Sequence, residues 1–281
     1  DHVSAAARGL MDEFSKGSYD AIEIVYSHFR NAATQYPVVE QWLPVPKMEV
    51  KDSKSAKKKA DYIGYQKHPY DALIDLFEPD MTTDTISPLF DKLKTNVIDL
   101  VKRIGTKKQV DDSFLRGEFS QDQQIELGKK LLVDMGYDFG KGALDISAHP
   151  FSSSIHPTDS RITTRIDPTN FMSNLSVVLH EGGHSLYETG LPVEHFGSPL
   201  CESISHGIHE SQSRWWETRI GQSKSYWQHY LPLLKKTFKG MEKVTIDDFY
   251  KGINKVSPTF IRVDADEVTY PLHVVLRYEL E

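Results

Sequence analysis

Hydrophobic residues recur three and four positions apart through most of this chain, the spacing that places them on one face of an α-helix. One such stripe comprises Ile86, Leu89, Phe90, Leu93, Val97, Val101 and Ile104. The same pattern predicts helices at Gln121–Met135, 225–239 and 246–256, and one at 264–280 that Pro271 should kink. The chain is therefore predicted to be mainly α-helical.

Another apolar stripe at helical spacing comprises Phe171, Leu175, Val178, Leu179, Gly182 and Leu186. Helix-starting residues at 167–170 and the stop signal Gly190 predict a helix of about five turns. Gly182 and Gly183 would each cost this helix roughly 1 kcal/mol relative to alanine. Their presence therefore indicates the close approach of another backbone or of a substrate. Residues 145–166, rich in serine, threonine and proline, are predicted to form an extended segment or hairpin beside this helix.

The predicted helix carries an H-E-x-x-H motif, which runs from His180 through Glu181 to His184. Residues four apart project from the same helix face, so His180 and His184 can offer their imidazole nitrogens to one metal ion. Glu181 lies beside that ion, where it can take a proton from a water on the metal. Glu210, further along the chain, could be the third ligand. Two histidines, one carboxylate and one open position are the usual make-up of a catalytic zinc site.

Each of these residues also has a plainer interpretation. A motif with three fixed residues recurs by chance, and two histidines on a helix need not bind a metal. A single glutamate such as Glu210 is by default a solvated side chain. Helical spacing around Glu210 gives a polar face, comprising Ser203, His206, Glu210, Ser213 and Glu217, and an apolar face, comprising Ile204, Ile208 and Trp215. The polar face holds a histidine and no lysine, which favours an active-site groove over open solvent.

Several ordered segments of the chain resemble the Taq-type metallocarboxypeptidase family. They are His149-Pro150-Phe151, Asp159 to Arg165, His180 to His184, His209 to Ser213 and Ile261 to Glu267. Ala60 to Tyr65 and His68 to Leu73 extend the resemblance upstream, so that it covers about residue 60 to the end. Five ordered motifs are far more specific than the H-E-x-x-H motif alone.

This resemblance implies a helical, grooved zincin-type peptidase that removes residues from peptide C-termini with zinc or cobalt, and that is often paired as a homodimer. By position it implies metal ligands at His180, His184 and Glu210, a general base at Glu181, and substrate-binding residues at His149, Arg161, Arg165 and Arg262. An arginine fork suits a free terminal carboxylate because it can donate two parallel hydrogen bonds. For each arginine, a surface salt bridge is the alternative.

Both ends of the chain depart from the family pattern. The family has a G-x-x-Q-D-x-H-W motif after the segment that matches Ile261 to Glu267, and the chain ends before it, which would leave the catalytic site incomplete. Residues 18–46 instead resemble a stretch of the ATP synthase gamma subunit, and the lysine-rich residues 47–60 are predicted to be a solvated linker. We therefore expect an N-terminal segment and linker at 1–59 and a partial catalytic domain at 60–281.

Composition narrows the possible functions further. A hydrophobic fraction of 39% and a charged fraction of 26% are those of an ordinary globular protein. The net charge of -7 argues against nucleic acid as a partner. No apolar run approaches the length that spans a membrane, and the first residues lack a signal-peptide pattern. The single cysteine, Cys201, excludes an internal disulfide and fits a reducing, cytoplasmic compartment.

The leading hypothesis is therefore a metal-dependent carboxypeptidase that acts on peptides, with zinc as the expected metal. One alternative is a non-catalytic fragment or an interaction subunit like the ATP synthase gamma subunit, if the N-terminal resemblance gives the true identity. The other is a zinc endopeptidase, because a zinc site alone does not determine where a peptide is cut.

Overall fold

The computed structural model describes residues 53–280, the strands β1 (Ile22–Asn31) and β2 (Thr34–Leu43), and the residues Glu13, Lys16 and Ser18. Backbone contacts divide the chain into one unit up to Tyr62 and a second unit from Ile63 onward. In the first unit, β1 and β2 pair as an antiparallel hairpin. This hairpin lies within the stretch that resembles the gamma subunit.

Helices dominate the rest of the described chain, as the hydrophobic spacing predicts. They are α1 (Ser53–Ile63), α2 (Pro69–Asp75), α3 (Thr83–Gly105), α4 (Gln121–Met135), α5 (Phe171–Thr189), α6 (His206–Arg214), α7 (Lys224–Thr237), α8 (Ile246–Ile253) and α9 (Tyr270–Leu280). A π-helical turn, Trp215–Ile220, continues α6. Among the residues described, no helix is both long enough and apolar enough to cross a lipid bilayer.

The segment predicted to be extended forms a small three-stranded sheet. Its strands are β3 (Leu144–Ile146), β4 (Ser152–His156) and β5 (Asp159–Thr164), in the spatial order β3-β5-β4. β3 runs parallel to β5, whereas β4 and β5 pair as an antiparallel hairpin. Both β4 and β5 contact α5, so the prediction of an extended segment beside the metal-motif helix is confirmed.

α5 lies at the centre of the second unit, against α4, α6, β4, β5 and the π-helical turn. The buried cluster around it comprises Phe171, Leu175, Val178 and Leu179 from α5, Leu131 and Leu132 from α4, Trp227 from α7 and Ile162 from β5. Full burial of one such side chain stabilises the fold by about 1.5–3 kcal/mol. The core therefore holds in place the helix that carries the two histidines.

The ends of α5 follow from local chemistry, and both were predicted correctly. The Asn170 side chain accepts a hydrogen bond from the Met172 backbone N–H at 3.2 Å, which caps the first turn. Gly190 follows the last turn, and its N–H donates to the Leu186 carbonyl.

Within the predicted solvated linker, Ser53–Ala60 are helical and begin α1, and residues 47–52 lie outside the described residues. Lysine and alanine are strong helix formers. The lysine run is therefore the solvated face of a helix, in which Lys57, Lys58 and Lys59 are exposed.

The predicted kink at Pro271 is also wrong. α9 begins at Tyr270, so Pro271 lies in its first turn, where proline's missing N–H breaks no helical hydrogen bond. Before it, the Asp266 carboxylate accepts from the backbone N–H groups of Val268 and Thr269, both at 3.0 Å, which holds these residues in a turn. α7 and α8 also end two and three residues earlier than predicted.

Tyr137 links the end of α4 to the small sheet. Its single hydroxyl hydrogen is shared between the carbonyls of Ser160 and Ala143, at 2.8 and 3.1 Å. Burial, and then the negative charge of Asp159, raise the pKa of Tyr137 to about 12. This side chain therefore stabilises the fold only in its protonated form.

We predict that Tyr137→Phe lowers the free energy of unfolding at pH 8 by about 1–2 kcal/mol, because two backbone carbonyls lose a donor. The folded-state pKa lies above the unfolded value of about 10. The stability that Tyr137 contributes is therefore present below pH 10 and is lost as the pH rises toward 12. In urea unfolding, the gap between parent and variant should narrow from pH 8 to pH 11.5, and a constant gap would contradict this account.

Candidate metal centre and active site

The three predicted metal ligands converge from two helices. His180 and His184 lie one turn apart on α5, Glu210 lies on α6, and their ligand atoms are all within 4.8 Å of one another. Oε2 of Glu210 is 3.2 Å from Nε2 of His184 and 3.8 Å from Nε2 of His180. Two imidazole nitrogens and a carboxylate oxygen thus surround one point.

Gly183 allows this convergence. A Cβ atom at Gly183 would lie 2.8 Å from both the carbonyl oxygen of Gln212 and the Cα of Ser213, closer than real Cβ contacts. The backbone of α6 therefore lies directly on α5 at this residue. On another face of α5, a Cβ at Gly182 would lie 2.8 Å from the end of the Leu132 side chain of α4, so this contact is with a side chain and not with a backbone. The close backbone approach predicted from the two glycines is confirmed for Gly183.

The remaining ring nitrogens of the two histidines face away from Glu210, and each has its own partner. Nδ1 of His180 lies 2.8 Å from Oε2 of Glu217, and Nδ1 of His184 lies 2.5 Å from Nδ1 of His209. These pairings leave the two Nε2 atoms facing Glu210. Two imidazole nitrogens and one carboxylate are a donor set that zinc and cobalt accept, so the residues present fit a divalent metal.

Glu217 is a site residue that the sequence analysis placed on the polar face without giving it a role. It lies in the π-helical turn, a feature that is frequent at functional sites. The oxygen that faces His180 also accepts from Nη1 of Arg214 at 2.8 Å. Its position seven residues after Glu210, two helical turns along the same face, is the signal that could have identified it.

Paired charges offset the effect of burial on these groups. Burial lowers the pKa of His180, but the hydrogen bond to Glu217 and the surrounding carboxylates outweigh it, so this pKa is raised. Burial raises the pKa values of Glu210 and Glu217. The histidine partners of both, together with Arg214 beside Glu217, outweigh burial and hold both pKa values below the ordinary range.

Glu181 has a different environment from the other two glutamates. It is only 7% exposed, and its side chain is hydrogen-bonded to Ser152 of β4. Burial raises its pKa, and the nearby His180 and His184 only partly oppose this. A buried carboxylate with a raised pKa is suited to accepting a proton near neutral pH.

The predicted polar face is turned toward α5 at Glu210 and Ser213, whereas His206, at the start of α6, is exposed. Ser213 is fully buried on this side, and Glu210 reaches the histidines. The apolar residues Ile204, Ile208 and Trp215 are 72%, 44% and 57% exposed. Hydrophobicity therefore does not mark the buried face of this segment, because the polar site occupies it.

Two of the predicted substrate-binding residues lie at the surface. Arg161 forms a bidentate pair with Asp159, at 2.7 and 2.8 Å, and its side chain is 62% exposed. This pairing favours the salt-bridge alternative for Arg161. His149 is exposed in the bend between β3 and β4, where its backbone carbonyl accepts from the Ser147 hydroxyl at 2.7 Å.

The other two arginines belong to segments that one ion pair connects. Arg165, just after β5, contacts Asp264 at 3.1 Å. Arg262, two residues before Asp264, donates to the hydroxyl of Tyr270 at 3.0 Å. The end of the small sheet and the segment before α9 are thus held together, and binding of a substrate carboxylate by either arginine stays a prediction.

Comparison with known proteins finds relatives that match most of the chain. The profile of the carboxypeptidase Taq (M32) metallopeptidase family matches residues 50–281. Carboxypeptidase 1 of Bacillus subtilis (strain 168) is 42% identical over 222 residues, 78% of this chain and 44% of that protein. Thermostable carboxypeptidase 1 of Thermus thermophilus is 44% identical over 213 residues, 75% of this chain and 42% of that protein. The chain thus spans less than half the length of these relatives.

A solved structure extends the likeness to the fold. The M32 carboxypeptidase from Deinococcus radiodurans R1 superposes with a TM-score of 0.78 at 35% sequence identity. The match covers 80% of this chain and 46% of that chain. The predicted mainly helical peptidase fold is confirmed.

A second group of matches concerns shorter segments. ATP synthase gamma chains of Desulfosudis oleivorans and Flavobacterium psychrophilum are 40% and 49% identical over 58 and 45 residues. These matches cover 21% and 16% of this chain. The predicted resemblance to a gamma subunit is confirmed, and it involves a much smaller part of the chain than the peptidase match.

We predict that Gly183→Ala lowers the free energy of unfolding by about 1–3 kcal/mol, because the added methyl group must push α6 away from α5. The matched control is Gly105→Ala at the end of α3, where an added Cβ would meet nothing within 4 Å. Helix propensity there predicts no loss and a gain of up to about 1 kcal/mol. Urea unfolding measures both variants, and similar stabilities for the two would contradict the close contact at Gly183.

Proposed function

The chain belongs to the carboxypeptidase Taq (M32) metallopeptidase family, and we propose that it carries the metal-dependent site of an enzyme that removes residues from peptide C-termini. The observation behind this proposal is the convergence of His180, His184 and Glu210 around one point, with the buried Glu181 next to it in sequence. The proposal extends to the activity of the whole protein, since the chain spans less than half the length of its relatives.

We assign the metal to Nε2 of His180, Nε2 of His184 and a carboxylate oxygen of Glu210. Zinc is the expected metal and cobalt the alternative, since both accept nitrogen and oxygen donors. When bound, such an ion activates a water molecule and polarises the scissile carbonyl. The residues of the chain then have to hold the ligands in place and move the proton.

Glu181 is the proposed general base. Its carboxylate accepts the proton from the attacking water and delivers it to the nitrogen of the leaving amine. Two features support this role: Glu181 is not one of the three converging ligands, and burial raises its pKa. A carboxylate next to a ligand in sequence stays within reach of the reacting atoms.

The proposed carboxylate-binding residues are Arg165 and Arg262, with Arg161 and His149 further along the groove. Arg165 and Arg262 lie on the two segments that the contact with Asp264 connects. Arg161 would have to exchange Asp159 for the terminal carboxylate of the substrate. A guanidinium that donates two parallel hydrogen bonds would distinguish a free C-terminus from an internal peptide bond.

The proposal also covers the substrate, the oligomeric state and the cellular compartment of the enzyme. We propose a peptide as the substrate and a homodimer as the assembly. We also propose the cytoplasm as the compartment, which a single cysteine fits. Size-exclusion chromatography with light scattering tests the dimer.

The gamma-chain matches support a second candidate function, in which the N-terminal segment makes this chain an interaction subunit. If its metal site is inactive, the chain would instead be a non-catalytic fragment. Five ordered peptidase motifs and a family match over residues 50–281 favour the peptidase.

We predict that the chain binds one zinc ion and that Glu181→Gln retains it. The hydrolysis rate should fall about 10²- to 10⁴-fold, because the base is lost while the three ligands stay. Zinc content by elemental analysis and release of C-terminal residues from a peptide measure the two effects. Glu194→Gln, an exposed glutamate in the turn after α5, is the matched control. Loss of zinc from the Glu181 variant would mean that Glu181 is a ligand or a structural support of the site instead.

We also predict that a peptide with a free C-terminus is a better substrate than the same peptide with an amidated C-terminus. A charge-assisted hydrogen bond to an arginine contributes roughly 1.5–3 kcal/mol, which corresponds to about one to two decades in rate. Arg165→Lys and Arg262→Lys should each lower the ratio of the two cleavage rates if the arginine binds the terminal carboxylate. Equal cleavage of the two peptides would point to an endopeptidase.

A further inference from the structure

His209 lies between the proposed ligand His184 and a second carboxylate. Its Nδ1 is 2.5 Å from Nδ1 of His184, and its Nε2 is 2.6 Å from Oε1 of Glu188. Its ring centroid lies 4.6 Å from that of His184, and the ring packs edge-on against Tyr187 with centroids 5.2 Å apart. Both ring nitrogens of His209 are therefore engaged, and its ring has packing partners as well.

The hydrogen positions in this chain of contacts follow from the chemistry of the groups. Two ring nitrogens 2.5 Å apart need one hydrogen between them, so that one donates and the other accepts. The Glu188 carboxylate can only accept, so Nε2 of His209 carries the hydrogen on that side. In neutral His209 the Nδ1 atom then holds a lone pair and accepts from Nδ1–H of His184. This places the lone pair of His184 on Nε2, the form that a metal ligand needs. Without a metal, Glu210 competes for this arrangement, because its carboxylate lies 3.2 Å from Nε2 and can accept from an Nε2–H.

We propose that Glu188 and His209 form a positioning relay that fixes the tautomer and ring orientation of His184, so that its Nε2 is presented as a ligand. This inference rests on the proposed metal site. Hydrogen bonds to the outer nitrogen of a ligating histidine commonly set which nitrogen binds the metal. For His180, one carboxylate, Glu217, does this directly, whereas His184 reaches its carboxylate only through His209.

The relay also connects the two helices that build the site. His184 and Glu188 are four residues apart on α5 and share a face. His209 enters from α6, where it immediately precedes Glu210. α6 therefore supplies a ligand and the support for another ligand from two consecutive residues, so a shift of α6 would disturb both.

Two substitutions of His209 separate positioning from packing. In His209→Asn, the side-chain oxygen takes nearly the place of Nδ1 and can still accept from His184. In His209→Gln, the amide instead lies near the place of Nε2 and can reach Glu188 but not His184. Zinc affinity is measured by competition with a chelator, after circular dichroism has shown that each variant is folded.

The relay predicts that His209→Gln binds zinc about 10- to 100-fold more weakly than the parent. The zinc affinity of His209→Asn should lie between those of the parent and His209→Gln. His206→Gln is the matched control, because His206 is exposed on the same helix and packs against Phe77. It should bind zinc like the parent. Parental affinity in His209→Gln, or equal losses in the Gln and Asn variants, would overturn the relay.

A second measurement needs no metal and no His209 variant. In metal-free Glu210→Ala, which lacks the competing acceptor at Nε2, nitrogen-15 NMR should find the ring hydrogen of His184 on Nδ1. Adding Glu188→Ala should shift part of the population to the Nε2–H form. A Glu210→Ala chain in which His184 carries its hydrogen on Nε2 would overturn the relay. If the parent bound no zinc, the proposed metal site would fail, and this NMR result would decide the relay alone.

Discussion

The site depends on one steric constraint, the contact between the backbones of α5 and α6 at Gly183. Only a residue without a side chain fits there, since a Cβ would lie 2.8 Å from the α6 backbone. This contact sets the separation of the helices, and the separation sets the distance from Glu210 to the two histidines. The same approach brings His209 to His184 and the π-helical turn with Glu217 to His180. The polar contacts that α6 and the π-helical turn make with α5 thus depend on a glycine that makes none of them.

The second requirement is electrostatic, because the centre places several ionisable groups away from water. Unpaired, such groups would be costly, and a buried polar network is stable only when its members are satisfied. Here Glu217 is shared by His180 and Arg214, and Glu188 closes the chain that starts at His184. Glu181 differs because burial outweighs its partners, His180, His184 and Ser152, so that its pKa is raised. The difference in pKa thus distinguishes Glu217, which holds a histidine in position, from Glu181, which is proposed to exchange a proton.

Local features of this fold could be predicted from the sequence, and features that depend on tertiary contacts could not. The bounds of α5 were predictable because the Asn170 cap and the Gly190 end are set by neighbouring residues. The H-E-x-x-H spacing gave the histidines, since four residues are close to one helical turn. The contacts of Glu217 and His209 depend on how α6 and its π-helical turn lie on α5, which no local pattern specifies.

The ion pair of Arg161 with Asp159 could have been predicted from the sequence, because alternate residues of a strand share a face. α1 was not predicted because the stretch that begins it has few apolar residues, although lysine and alanine favour a helix.

The central claim is that close packing of α5 and α6 builds one metal site from His180, His184 and Glu210. The most direct test is a crystal structure of the zinc-loaded chain with anomalous diffraction measured at the zinc edge. The account predicts one strong peak about 2.0–2.2 Å from Nε2 of His180, Nε2 of His184 and a Glu210 oxygen. A peak elsewhere, or zinc held by the histidines with the Glu210 carboxylate out of bonding reach, would contradict it.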